Sequence, residues 1–139
     1  MKLSTKGKYS LYAMYYLAQH AGDGPQPLKA VATIGIQEDY LEQLLGTLRK
    51  GELVTTVRGA QGGYRLAREP EDITVGDILN ATEGPLNLSD CLRDEGSCRH
   101  SGECKARRVW NYLSQSIDHL LGSITLKDML EQEEFGTAE

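Results

Sequence analysis

The sequence predicts a mainly α fold with a small β wing: a winged helix-turn-helix domain plus a long C-terminal dimerisation helix. Three observations predict it. A leucine stripe at Leu41, Leu44, Leu45 and Leu48 follows a glycine turn at Gly35. A β-rich run over 53–57 leads through a glycine-rich tip into a second short strand. Apolar residues then recur at helical spacing from Val109 to Leu121.

The elements follow in order. Ser4 to His20 is expected as a helix, with Ser4 as N-cap and Leu11, Met14, Tyr15 and Ala18 at helical spacing. Residues 21–25 break it. Pro27 to Thr33 forms a short helix with Val31 and Ile34 on its apolar side, and Gly35 makes the turn. A third helix runs from about Glu38 to Lys50, its leucines facing inward, with Gly51 placed as the left-handed C-terminal residue. Two strands, 53–57 and 64–66, joined by 58–63, make the wing.

Further on, Ile73 to Leu79 begins another helix, with Thr74 as N-cap and Asp77 at N3. A near copy occupies 124–130, read as a second short helix with a similar start. Between them, Val109, Leu113, Ile117, Leu120 and Leu121 form one stripe on a helix from Ala106 to Leu121. A small head domain has little use for this helix in its own core, so the expected use is pairing with a second copy. The alternative is a helix folded back on its own domain. The resulting organisation is 1–84 winged domain, 85–105 cysteine loop, 106–130 dimerisation helix and short terminal helix, and 131–139 a disordered tail.

Charge is divided unevenly. Net charge is −5 over 139 residues, but 1–68 carries +4 and 69–139 carries −9. Only the first part suits a polyanion. No window is apolar enough to span a bilayer, the opening MKLSTKGKYS lacks a signal-peptide core, and three cysteines do not make a disulfide framework. The expectation is a cytoplasmic protein without membrane contact.

A helix-turn-helix sets its second helix in the major groove of double-stranded DNA. The base-facing candidates are Gln37, Glu38, Asp39, Tyr40, Glu42 and Gln43. Gln43 suits adenine and Glu42 suits cytosine. Arg58, at the base of a glycine-rich tip, suits a narrow minor groove. Lys2, Lys6, Lys8 and Arg49 are phosphate candidates. A dimer would present two such helices to a pseudo-palindromic site.

The only cysteines, Cys91, Cys98 and Cys104, lie within fourteen positions of a polar, glycine-containing segment. Buried core cysteines are not gathered this way. Their wide spacing suits an iron–sulfur cluster better than zinc, although His100 would complete a three-cysteine, one-histidine zinc set. A metal-free thiol switch is the third chemistry open to them.

The opening MKLSTKGKYSLYAM, the helix DYLEQLLGTLRKGELV, the wing VRGAQGGYRLA, the ITVGDIL turn and the cysteine segment followed by Val109-Trp110 together resemble the IscR/NsrR-type winged-helix regulators. The resemblance extends to about Leu130. It implies a homodimeric bacterial transcription regulator, usually a repressor, with a 2Fe–2S or 4Fe–4S cluster on Cys91, Cys98 and Cys104. Cluster state would then alter promoter affinity in response to iron–sulfur supply, oxidants or nitric oxide. The resemblance also matches Arg58 to the wing arginine and Gln37, Asp39, Glu42 and Gln43 to base-reading positions.

Three departures stand out. Arg107 occupies the place of the fourth-ligand histidine, Lys8 that of an aspartate ligand, and the first cysteine gap is one residue longer. A charged arginine cannot ligate iron. His100 is the suitable nitrogen donor within the loop, with Asp90, Asp94, Glu95 and Glu103 as weaker oxygen donors. The rival functions are a cluster-free thiol-sensing regulator and an iron–sulfur carrier or metal-handling protein. No nucleophile–base pair or phosphate loop supports an enzyme.

Overall fold

The first helix, α1, spans Thr5–Gln19 and is capped by Ser4, whose hydroxyl accepts from the Gly7 N–H at 3.2 Å. The structure, a computed structural model, describes residues 4–84 and 105–131. Cys91, Cys98, Cys104, His100, Lys2, the acidic donors of the loop and the tail from 132 onward lie outside the described residues. The α1 face formed by Ala13, Met14, Leu17 and Ala18 is buried. Against it pack α2 (Leu28–Val31), which continues as a 3-10 turn over Ala32–Ile34, and α3 (Glu38–Lys50). The expected short helix therefore exists but tightens at Ala32. Gly35, at φ 99°, reverses the chain between α2 and α3 in the left-handed region that glycine enters without steric cost.

Leu41, Leu44, Leu45 and Leu48 of α3 are all essentially solvent-free. Each full leucine burial stabilises by about 1.5–3 kcal/mol, so this stripe fixes which face of α3 turns inward. Gly51, expected as the left-handed residue, is instead at φ −81°, and Glu52 takes that conformation at φ 62°. A Cβ on Gly51 would stand 3.0 Å from the Ala81 Cβ, so the glycine permits close approach of the next helix and the reversal falls one residue later.

Strands β1 (Val54–Val57) and β2 (Gly63–Leu66) pair antiparallel, with Thr55 opposite Arg65 and Val57 opposite Gly63. The free edge of β2 is anchored by Gln26, which exchanges two backbone hydrogen bonds with Tyr64 at 2.8 Å. Gly63 sits at φ 151°, and a Cβ there would stand 2.2 Å from the Gln26 carbonyl oxygen. Only glycine lets the wing lie this close to the head.

Helix α4 (Val75–Glu83) has the expected reciprocal cap: Thr74 Oγ1 accepts from the Asp77 N–H at 2.9 Å, and Asp77 Oδ2 from the Thr74 N–H at 3.1 Å. The long helix α5 (Lys105–Ser123) leads to α6 (Leu126–Glu131), whose start repeats the device: Thr125 Oγ1 accepts from Asp128 N–H, and Asp128 Oδ2 from Thr125 N–H. The two near-identical segments also pair with each other. Val75 N–H donates to the Ile124 carbonyl at 2.8 Å and Leu126 N–H to the Ile73 carbonyl at 2.9 Å, an antiparallel bridge across buried Ile73 and Leu126. This clamp fixes where α5 leaves the head. The C-terminal end of α5 packs on Gly76, where a Cβ would meet the Leu121 carbonyl carbon at 3.3 Å.

Asp128→Ala removes one half of the reciprocal cap and is expected to destabilise the fold by about 1 kcal/mol in urea unfolding. Lys127→Ala, which deletes only exposed ion pairs to Glu71 and Glu131, should shift stability by less than about 0.5 kcal/mol. Equal unfolding midpoints for the two variants would refute a stabilising role for this cap.

Candidate nucleic-acid interface

With its leucines committed inward, α3 turns Glu42, Gln43 and Arg49 to solvent, and Gln37, Glu38 and Asp39 are exposed at its start. Gln37 makes no side-chain cap. Glu38 and Asp39 lie in the first turn, where carboxylates complement the positive end of the helix dipole. That gives the acids, unexpected on a phosphate-facing helix, a structural use. Tyr40 differs from its neighbours: it is half-buried and meets Tyr9 of α1 edge-on, ring centroids 6.0 Å apart at 78°. Its ring therefore braces α3 against α1.

The wing joins the same surface. Tyr64 on β2 is half-buried, and its phenol is pushed above the usual tyrosine range first by burial, then by the Glu42 carboxylate, with Arg49 pulling the other way. Glu42 and Arg49, about two turns apart on α3, thus both act electrostatically on a side chain of the wing. Arg58 is exposed immediately after β1, and Arg65 is exposed on β2. Neither takes a carboxylate partner among the described residues, unlike Arg68, which lies 3.8 Å from Asp77. Lys8 on α1 is exposed and Lys6 half-buried.

Glu42 and Arg49 both act electrostatically on Tyr64, and Gln37, Asp39 and Gln43 are exposed to solvent. The sequence alone does not mark Tyr64 or Arg65 as part of this surface, although period-two alternation on β2 places Arg65 outward. The stripe residues Val109, Leu113 and Leu120 of α5 are exposed, and Ile117 and Leu121 half-buried. Tyr112 on the same helix is 71% exposed. Among the described residues of α5 no side chain is buried. Arg107 lies in its first turn, half-buried. No trio of His, Cys, Asp or Glu among the described residues stands close enough to hold a metal ion. No described helix is long and apolar enough to cross a membrane.

A helix-turn-helix whose polar face is continued by an arginine-bearing wing defines the winged-helix class of DNA-binding proteins. Residues 3–132 match the model of the Rrf2 family, described as iron-dependent transcriptional regulators, and the chain belongs to that family as a transcriptional regulator. It is 43% identical over 130 residues to the regulator CymR of Bacillus subtilis, covering 93% of this chain and 89% of CymR. It is 40% identical to the regulator IscR of Sodalis glossinidius, covering 96% of this chain and 81% of that one. Solved structures agree. That of CymR, described as the global cysteine regulator of B. subtilis, gives a TM-score of 0.81 at 40% identity over 96% of this chain and 99% of that one. The structure of IscR from T. potens gives 0.78 at 46% identity over 100% and 93%. These relatives are named as regulators, not enzymes, and share the small β wing and the long C-terminal helix.

Arg58→Ala is expected to weaken binding to all duplexes and to lower the slope of log affinity against log salt by about 1 per protomer. Fluorescence anisotropy across a salt series measures both. An unchanged slope would show that Arg58 does not meet a phosphate-lined groove.

Proposed function

We propose that this regulator is a homodimeric repressor acting in the cytoplasm on pseudo-palindromic promoter sites, its affinity set by an iron–sulfur cluster on Cys91, Cys98 and Cys104. The observation that carries the reading is the pairing of two features along the chain. All three cysteines lie within the fourteen residues before α5, and α5 holds an apolar face that its own head leaves uncovered: Val109 is 55% and Leu120 59% exposed. A helix of this length with a wide apolar stripe and no buried side chain is suited to a partner. A second copy satisfies it symmetrically.

The donor set fits the cofactor in its chemistry. Three thiolates are the ligands that iron–sulfur clusters take, and no competing trio of donors occurs among the described residues. A bound cluster would supply a centre whose stability responds to oxidants and iron supply. Cys104 lies next to Lys105, the first residue of α5, so a change in what the thiols hold acts at the root of the dimer helix. The clamp at Ile73–Val75 and Ile124–Leu126 ties the other end of α5 to the head, so a tilt of α5 changes the spacing of the two recognition helices.

A second reading is favoured by a specific residue. Arg107 stands where an IscR-type fourth ligand would be, and the CymR relative is described as a cysteine regulator. In this reading the same cysteines sense thiol chemistry without a cluster. Anaerobic purification followed by visible absorption and iron and sulfide assay separates the two. The cluster reading expects iron, sulfide and a visible band that Cys98→Ala abolishes, with altered promoter affinity. Iron-free protein from anaerobic cells would select the thiol reading.

Leu113→Glu is expected to convert the dimer to a monomer in sedimentation velocity while leaving the head folded. A monomeric wild-type protein would overturn the pairing of α5 with a second copy.

A further inference from the structure

Large apolar and aromatic side chains of the winged head are covered, with one departure. Among the described residues of 4–84, Tyr12 is the only such side chain left exposed, at 52%. It sits on the outer flank of α1, four residues after exposed Lys8, so the two side chains share one side of the helix. Its hydroxyl makes no hydrogen bond to any described residue.

Its ring is nevertheless held. Tyr12 contacts Tyr9 with centroids 6.2 Å apart at 45°, and Tyr9 contacts Tyr40 in the first turn of α3. A row of three rings thus runs from the start of the recognition helix to the surface of α1. Ring pairs of this kind contribute about 0.5–1.5 kcal/mol each beyond their burial, so the row orients Tyr12 relative to α3. When α3 enters a major groove at its N-terminal end, the surface beside that end faces the flanking backbone. A phenol is a neutral donor well suited to a phosphate oxygen.

We propose that Tyr12 is a DNA-positioning residue whose hydroxyl donates to a backbone phosphate beside the major groove entered by α3, in register with Lys8. The assignment rests on the reading of α3 as the groove-entering helix. It is distinct from the roles of Lys8 and Arg58, because a neutral donor displaces no counterion. Tyr12 fixes placement without adding to the salt dependence, whereas each cation adds to it.

The test uses the full-length protein with two probes: a duplex selected from random sequence by the wild-type protein, and an unrelated duplex of equal length. Tyr12→Phe keeps the ring row and deletes only the hydroxyl. The expected result is binding weakened about tenfold on both duplexes, with the salt slope unchanged. Lys8→Ala should instead lower the slope by about 1 per protomer. Wild-type affinity of Tyr12→Phe overturns the assignment. So does a loss confined to the selected duplex, which would mean base reading, or a loss accompanied by monomerisation in sedimentation, which would place Tyr12 against a second copy. Arg58→Ala run in parallel keeps the premise separate. If it too binds normally, the winged surface itself is misassigned; if it weakens binding while Tyr12→Phe does not, only the Tyr12 assignment falls.

Discussion

Burial of one face of α3 is the constraint on which the rest of the structure depends. Leu41, Leu44, Leu45 and Leu48 recur at helical spacing and are all excluded from solvent, so the rotation of the helix about its axis is not free. Turning it by even one residue would expose leucines and bury Glu42 or Gln43 without partners, at a cost of several kcal/mol. Everything that α3 offers to solvent follows from that commitment. The tyrosine row from Tyr40 through Tyr9 to Tyr12 then carries the same orientation to α1, and the electrostatic influence of Glu42 and Arg49 on Tyr64 places the wing beside that face.

A second constraint operates at the other end of the head. The segments around Thr74 and Thr125 start helices with the same reciprocal cap and bond to one another through Val75–Ile124 and Leu126–Ile73. One segment precedes α4, whose last residue, Glu83, accepts hydrogen bonds from the Ser4 N–H at 2.8 Å and from the Ser4 hydroxyl. The other follows α5. The start of α1 and the exit of the long helix are therefore tied to opposite ends of the same short helix. α5 is thus fixed to the head at its C-terminal end by backbone hydrogen bonds.

Much of the head was legible in the sequence because its signals are local. The N-cap at Ser4, the capping pair Thr74 and Asp77, the leucine period of α3 and the glycine-rich tip of the wing each depend on residues within a few positions of one another. The left-handed residue was misplaced by one because Gly51 answers to a distant neighbour, Ala81, rather than to its own turn. The setting of Tyr64 is not legible in the sequence for the same kind of reason: Gln26 bonds its backbone and Glu42 and Arg49 act on its phenol, none of them adjacent in the chain. Of the candidate site, the residue types on α3 and at Arg58 were visible beforehand. The separate standing of Tyr40, turned sideways onto Tyr9, was not.

Already readable along the chain are the elements, the inward stripe of α3, the division between a basic head and an acidic remainder, and three thiols placed before a long amphipathic helix. Periodicity, capping and charge are properties of neighbouring residues, and neighbouring residues are what a sequence displays. The folded chain adds that two similar segments clamp each other, that β2 is anchored by Gln26, that α5 leaves its apolar face open, and that Tyr12 is held at the surface by Tyr9, itself against Tyr40. These depend on backbone and ring contacts between positions far apart in the chain, set by how the buried faces pack together.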